Sequence, residues 1–253
     1  MSVTLEIIEP HIALLRVDRP QVRNALDWES MVAFNQAVKQ AHKLQDLRAL
    51  ILAGSREAFI AGGDLKALHG ATTQADGLRL AKMMGGPLKR LEALPCPTLA
   101  AMNGPSRGGG AEIALACDLR VMGAAADFGL VQVTLGLTPG WGGGQRLLRL
   151  VGYSRALEWL ATGKILTAQE MLAHGLANRV SPKGRALEAA LELAREIAVQ
   201  PLNAVRAIKR LLRAGLMLPG QSAARVELDE FPTLWASEEH LQAMKDFLER
   251  KSS

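Results

Sequence analysis

The chain has 253 residues, of which 49% are apolar and 22% charged, and this length and composition suit a globular protein of one or two domains. Its net charge of +5 comes with no run of Lys and Arg, so we expect no nucleic-acid partner. The excess of positive charge either belongs to an ordinary solvated surface or creates a field that attracts an anionic, phosphate-bearing substrate.

The chain begins with a pattern of short strands. Residues 1–10 lack the basic and apolar regions of a signal peptide, and no apolar run reaches the ~20 residues of a membrane span. We therefore expect a cytoplasmic protein with no membrane partner. Residues 3–8 and 12–17 predict two strands, and Asp27 then predicts a helix N-cap. Leu47–Ala53 is an apolar run typical of a strand buried on both faces.

Strands and helices alternate as far as about residue 180. Pro97–Met102 and Leu119–Met122 predict further strands, and Ala111–Cys117 predicts an apolar helix between them. Cys96 and Cys117 form no CxxC pair, so we expect buried thiols in a reducing compartment rather than a disulfide scaffold. No histidine has metal-ligand spacing with an acidic or Cys residue, and we predict no metal site.

The last third of the chain has a helical pattern. Apolar side chains recur at helical spacing in 187–197, 205–212 and 241–248, and Pro201 suits the first turn of the middle helix. The chain is therefore predicted to have an α/β core followed by a helical C-terminal region. The three glycines at 142–144 predict a loop, and they lack the GxGxxG spacing of a dinucleotide site.

Two glycine-containing loops are the strongest candidates for a functional site. Residues 58–66 read AFIAGGDLK and residues 103–112 read NGPSRGGGAE. Each follows a predicted buried strand and leads into a helix, where unpaired N–H groups lie at the positive end of the helix dipole. Two such N–H groups that converge on one carbonyl oxygen would form an oxyanion hole. The alternative interpretation is a pair of tight turns.

The ordered set of motifs resembles the crotonase family, which contains enoyl-CoA hydratases, isomerases and relatives. The resemblance covers most of the chain and rests on DRP at 18–20, RNAL at 23–26, AGGD at 61–64, NG…GGGAE at 103–112, FG at 128–129, LGLTPG at 135–140 and GGQRL at 143–147.

This resemblance implies an α/β fold: a crotonase-like spiral of ββα units with a helical C-terminal trimerisation region. Residues 1–190 would form the spiral core that binds CoA and the acyl group. Residues 191–253 would form the helical region that assembles a homotrimer or homohexamer and closes the CoA site. The substrate would be an acyl-CoA thioester, and no cofactor would be needed because CoA is part of the substrate.

The resemblance also implies roles for single residues. Gly63 and Gly109 would donate the two N–H groups of the oxyanion hole. The CoA pocket would be bordered by Arg23, Ala25, Leu26, Ala61, Gly62, Asp64 and Leu65. Phe247 resembles a C-terminal residue that closes the CoA site of a neighbouring subunit.

Glu112 is the candidate acid/base. Its position in a first helical turn is also typical of a solvent-accessible carboxylate that stabilises a helix dipole. By resemblance it matches the glutamate that activates the added water, and partial burial would raise its pKa towards neutrality. The family's hydratases carry a second glutamate where this chain has Gln132, which can orient a water or a substrate oxygen but cannot exchange a proton at pH 7.

This departure leaves three functions open. The first is a hydratase that depends on Glu112. The second is an ethylmalonyl- or methylmalonyl-CoA decarboxylase, which the strings at 108–122 and 139–143 also resemble and which needs no base for an α-proton. The third is a non-catalytic binder of acyl-CoA or RNA. Trp141 would be either a wall of the acyl pocket or a packed loop residue. His69 would lie at the surface or reach the site, and Arg107 would contact substrate or a neighbouring carboxylate.

Overall fold

The computed structural model describes residues 2–55 and 57–251, except for the side chains of Arg250 and Lys251. Its strands are β1 (Val3–Glu9), β2 (Ile12–Val17), β3 (Ala49–Gly54), β4 (Thr98–Met102), β5 (Ser106–Arg107), β6 (Leu119–Gly123), β7 (Asp127–Gly129), β8 (Leu166–Thr167) and β9 (Arg179–Ser181). The predicted strands all form, with bounds within about two residues of the expected ones. The sequence did not predict the short strands β5, β7, β8 and β9.

The main sheet has the order β1-β2-β3-β4-β6-β9. β1 and β2 form an antiparallel pair, and every later pairing in this sheet is parallel. Every residue of β3 is buried, as its continuous apolar run predicts for an inner strand of a parallel sheet. A smaller sheet has the order β5-β7-β8, and its first strand, β5, lies within the second glycine loop.

The helices that connect and follow these strands are α1 (Trp28–Ala41), α2 (Leu65–Leu68), α3 (Gln74–Glu92), α4 (Gly109–Ala116), α5 (Gly143–Val151), α6 (Tyr153–Thr162), α7 (Ala168–Ala173), α8 (Ala186–Ala198), α9 (Leu202–Met217), α10 (Gly220–Trp235) and α11 (Glu238–Lys251). Asp27 is the N-cap of α1, as predicted: its carboxylate accepts a hydrogen bond from the Ser30 N–H at 2.8 Å.

Two sequence-based expectations were wrong, and one helix was not predicted. Residues 142–144 are not all loop, because α5 begins at Gly143. Pro201 is the N-cap of α9 rather than part of its first turn. α10 was not predicted at all; it includes Pro232, a residue type that usually marks a helix end.

The chain divides into two compact units, one ending at Glu196 and the other beginning at Ile197. The first contains both sheets. In the second, α9 packs against α10. Within the described part of the chain, no helix combines the length and apolarity needed to cross a membrane. The same residues include no group of three or more His, Cys, Asp or Glu positioned to hold a metal ion.

A buried asparagine connects the RNAL motif to the first glycine loop. Asn24 is fully buried and adopts a left-handed backbone conformation with φ 59°. Its Nδ2 lies within 3.1 Å of the carbonyl oxygens of Ser55, Ala58 and Phe59, and its Oδ1 accepts from the Arg19 N–H. The RNAL segment thereby fixes the chain that leads into the first glycine loop.

We predict that Asn24→Ala lowers the free energy of unfolding by about 2 kcal/mol or more, because it leaves buried carbonyl groups without a donor. The measurement is the urea unfolding midpoint at fixed protein concentration. Gln40→Ala, at an exposed position on α1, is the control and is expected to leave the midpoint nearly unchanged. Equal midpoints for the two variants would contradict this account of Asn24.

Candidate active site

The two glycine loops are in direct backbone contact. A Cβ atom placed on Gly62 would lie 3.1 Å from the Gly109 nitrogen, and one placed on Gly110 would overlap the Ile60 carbonyl oxygen. Gly62 also has φ 98°, which favours glycine on conformational grounds. Glycine is therefore required here both for the backbone conformation and for the close approach of the two loops.

Two N–H groups at this contact have no acceptor among the described residues. Among the hydrogen bonds of the described residues, neither the Gly63 N–H nor the Gly109 N–H is a donor, although the adjacent Asp64 and Gly108 N–H groups both are. Gly109 is the first residue of α4, where an N–H has no partner within the helix. Both glycines are partly exposed. Two unsatisfied donors on touching loops are what an oxyanion hole requires.

Glu112 is not the solvent-accessible carboxylate that its place in α4 also allowed. The residue is 2% exposed and reaches the N-terminus of another helix, α5. Its Oε2 accepts from the N–H groups of Trp141 and Gly143, both at 2.7 Å. Its Oε1 accepts from the Gly140 N–H at 3.2 Å and from Gln132 Nε2 at 3.0 Å.

The pKa of Glu112 is raised above its ordinary value of 4.5, as expected from its burial. Loss of hydration is the largest cause, because it penalises the charged form. The N–H groups of Gly143, Trp141 and Gly140 act in the opposite direction, as does the positive charge of Arg146. Glu112 is thus a buried carboxyl group, and hydrogen-bond donors nevertheless stabilise its charged form.

Gln132 turns its amide nitrogen towards Glu112. The reverse orientation would place its carbonyl oxygen against a carboxylate oxygen, so the hydrogen-bond network fixes the assignment. Its Oε1 is buried and has no hydrogen-bond partner among the described residues. The side chain lies beside the second glycine loop, since a Cβ on Gly108 would be 3.9 Å from the Gln132 amide. The available group of Gln132 is therefore an acceptor.

The loop that binds Glu112 is held from its other side by Arg146. Arg146 Nη1 donates to the Trp141 carbonyl at 2.8 Å, and its Nε and Nη2 donate to the Glu92 carboxylate at 2.9 and 3.0 Å. A Cβ on Gly142 would approach Arg146 Nη1 at 2.9 Å, and one on Gly143 would approach Glu112 Cγ at 2.5 Å. These glycines leave space for the two charged side chains.

Sequence reasoning missed this role of Arg146 and Glu92. Arg146 lies in the GGQRL string, but its neighbours in sequence gave no sign of a partner 54 residues away. A basic residue in the first turn of a helix is unfavourable for the helix dipole, and that was the available signal.

The residues expected to border CoA lie together where their motifs meet. The Ala61 N–H donates to the Arg23 carbonyl, and Leu26 exchanges backbone hydrogen bonds with Gly62 and Asp64 at 2.7 and 2.8 Å. Ala25 and Leu26 are buried, whereas Arg23 and Leu65 are exposed.

The Asp64 side chain is already engaged: it accepts from the Ala67 N–H and forms an ion pair with Arg19, both at 3.3 Å. Phe247 lies on α11, in the other compact unit, and its side chain is 57% exposed.

Two further expectations concerned Arg107 and His69. Arg107 forms a bidentate ion pair with Asp127, with distances of 2.6 and 2.7 Å, so it contacts a neighbouring carboxylate. His69 is exposed, and its Nδ1 lies 2.8 Å from the Lys66 carbonyl oxygen.

Comparison with known proteins agrees with the motifs. Residues 8–253 match the family model described as Enoyl-CoA hydratase/isomerase. The chain is 32% identical to the short-chain-enoyl-CoA hydratase of Clostridium acetobutylicum over 244 residues, covering 96% of this chain and 93% of that protein. It is 30% identical to the ethylmalonyl-CoA decarboxylase of Gallus gallus, covering 96% and 83%.

Among solved structures, the enoyl-CoA hydratase from Bacillus anthracis superposes with a TM-score of 0.93 at 31% identity, covering 99% of this chain and 97% of that one. The predicted fold class is thereby confirmed. The chain belongs to the crotonase family, that is, the enoyl-CoA hydratase/isomerase family.

Proposed function

We propose that this protein catalyses the reversible addition of water to a trans-2-enoyl-CoA. The observation that carries the proposal is the pair of N–H groups on Gly63 and Gly109, which lie on touching loops and have no acceptor in the part of the chain that the structure describes. Hydrogen bonds from both to the thioester oxygen lower the energy of the enolate that forms when water attacks Cβ. The relatives named enoyl-CoA hydratase support the same reaction.

Glu112 is the acid/base in this proposal. Of the four hydrogen bonds to the Glu112 carboxylate, the longest is the one that Oε1 accepts from the Gly140 N–H. In this proposal, water enters beside that Oε1 atom. Oε1 takes a proton from the water while the oxygen bonds to Cβ, and the protonated Glu112 then returns a proton to Cα of the enolate. One carboxyl group handles both protons, because Gln132 has no proton to exchange. The acceptor Oε1 of Gln132 orients the water.

The CoA moiety binds in this proposal where residues 23–26 meet residues 61–65. The reaction needs no cofactor beyond the CoA of the substrate, and the location is cytoplasmic. We also propose a homotrimer or homohexamer assembled through residues 191–253. Support comes from large apolar side chains that are exposed in the second unit, including Leu228, Phe231, Trp235 and Phe247.

Decarboxylation of a malonyl-type thioester is the second candidate. The relatives named ethylmalonyl-CoA decarboxylase favour it, and Gln132 adds no charge that would repel a substrate carboxylate. The orientation of Gln132 weighs against it, because its amide nitrogen donates to Glu112 and its available oxygen repels an anion. A neutral water suits that oxygen better.

A panel of thioesters monitored by mass spectrometry separates the two reactions. We predict that the purified protein adds the mass of one water to crotonyl-CoA and leaves ethylmalonyl-CoA unchanged. Loss of the mass of carbon dioxide from ethylmalonyl-CoA, with crotonyl-CoA unaltered, would instead establish the second candidate. Binding of these esters with no turnover would make the protein a binder.

The contribution of the Gly63 N–H can be tested with a matched pair of variants. Gly63→Pro removes the donor, and we predict a fall in kcat of about 10²-fold or more. Gly63→Ala keeps the donor and is expected to retain most of the activity. Its new Cβ meets only the flexible end of Leu68, at 2.9 Å. Circular dichroism of both variants checks the fold, and equal kcat values for the folded pair would contradict the assignment.

Glu112→Gln tests the acid/base. The amide oxygen of the substituted side chain can still accept from the Trp141 and Gly143 N–H groups, so the two shortest contacts to the loop are preserved, and we predict a fall in kcat of about 10²-fold or more. Glu158→Gln, at an exposed position on α6, is the control. If Glu112→Gln hydrates crotonyl-CoA with the kcat of the wild-type protein, Glu112 is not the acid/base.

The pH profile gives an independent test of Glu112. A base must be deprotonated, and the pKa of Glu112 is raised, so kcat/KM is expected to increase with pH through a limb that lies above 4.5. The same limb is expected to be absent from the residual activity of Glu112→Gln. A variant that retains the wild-type acid limb would show that another group controls it.

A further inference from the structure

Trp141 connects the two halves of the proposed site. Its N–H donates to Glu112 Oε2 at 2.7 Å, and its carbonyl accepts from Arg146 Nη1 at 2.8 Å. Arg146 is itself buried and paired with Glu92. The backbone of Trp141 is therefore held on both sides by charged groups that have little freedom to move.

The indole of Trp141 covers the second oxyanion-hole glycine. A Cβ placed on Gly109 would lie only 2.6 Å from ring atoms Cε3 and Cη2, so the ring packs directly on the Gly109 Cα. The residue is 6% exposed, and its ring belongs to the apolar core. The same residue thus contacts the proposed base through its backbone and the proposed oxyanion donor through its ring.

The proposed reaction brings the acyl chain of a bound substrate close to this indole. In the proposed reaction the thioester oxygen lies at the Gly109 N–H, and Cβ lies near the carboxyl group of Glu112. The carbon atoms after Cβ continue from that point. The buried indole packs on Gly109, and the backbone of the same residue contacts Glu112, so a long chain that continues from this point requires the ring to leave its packed position.

We propose that Trp141 sets the acyl-chain length of this enzyme and restricts it to short-chain CoA thioesters. This inference rests on the proposed function, because it uses the placement of the thioester between Gly109 and Glu112. Replacing the indole with a smaller apolar side chain opens space for further methylene groups. Each additional methylene group that fits or is excluded changes the discrimination between acyl chains of different length by about tenfold or more.

The test is equilibrium binding of butyryl-CoA and octanoyl-CoA, measured by isothermal titration calorimetry. These saturated esters do not require turnover. Wild-type protein is expected to bind butyryl-CoA more tightly than octanoyl-CoA. Trp141→Leu is expected to shift the ratio of the two dissociation constants by about tenfold or more towards octanoyl-CoA.

Trp159→Leu is the matched control. Trp159 is a buried tryptophan on α6 of the same unit, with its ring 5.1 Å from the ring of His174. Its replacement is expected to lower stability without altering the ratio. Trp141→Phe is the second variant if Trp141→Leu does not fold, and an intermediate ratio is expected for it.

The outcomes separate the two proposals. If both esters bind to wild-type protein equally well, or if the ratio is the same in the Trp141 and Trp159 variants, the role of Trp141 is overturned while the proposed function stands. If neither ester binds, both the proposed function and the inference that rests on it are wrong.

Discussion

Backbone contact between two glycine loops is the constraint on which the rest of the site depends. The loops approach so closely at Gly62 and Gly110 that a side chain at either position would collide with the opposing backbone. The contact leaves two N–H groups, on Gly63 and Gly109, without an acceptor among the described residues. A donor that is already oriented loses no free energy to reorganisation when an enolate forms, and its effect increases as water is excluded.

The placement of Glu112 follows from a second constraint, the cost of burying a carboxylate. Its burial raises the pKa, and three N–H groups of the loop at 140–143 offset part of that cost. The loop is held in turn by the Arg146–Glu92 pair. The result is a buried carboxyl group whose pKa is raised and whose charged form still has hydrogen-bond donors, a setting that suits a general acid/base.

Much of this fold could be predicted from the sequence, because inner parallel strands read as continuous apolar runs and the glycine motifs have fixed spacing. Most main-sheet strands and the N-cap at Asp27 follow from such local signals. The start of α5 and the whole of α10 could not be predicted from local signals, because Gly143 and Pro232 are poor helix formers. Tertiary packing overrides their low helix propensity. Glu112, Arg146 and Asn24 each also have a partner 20 to 54 residues away in sequence, namely Gln132, Glu92 and Ser55, and no local pattern specifies such pairs.

The central claim is that two peptide N–H groups bind one thioester oxygen. A crystal structure of the protein with bound butyryl-CoA tests it most directly. We expect the thioester oxygen to lie about 2.7–3.1 Å from both the Gly63 and the Gly109 nitrogen. A bound ester whose carbonyl oxygen is hydrogen-bonded to neither nitrogen would contradict the account.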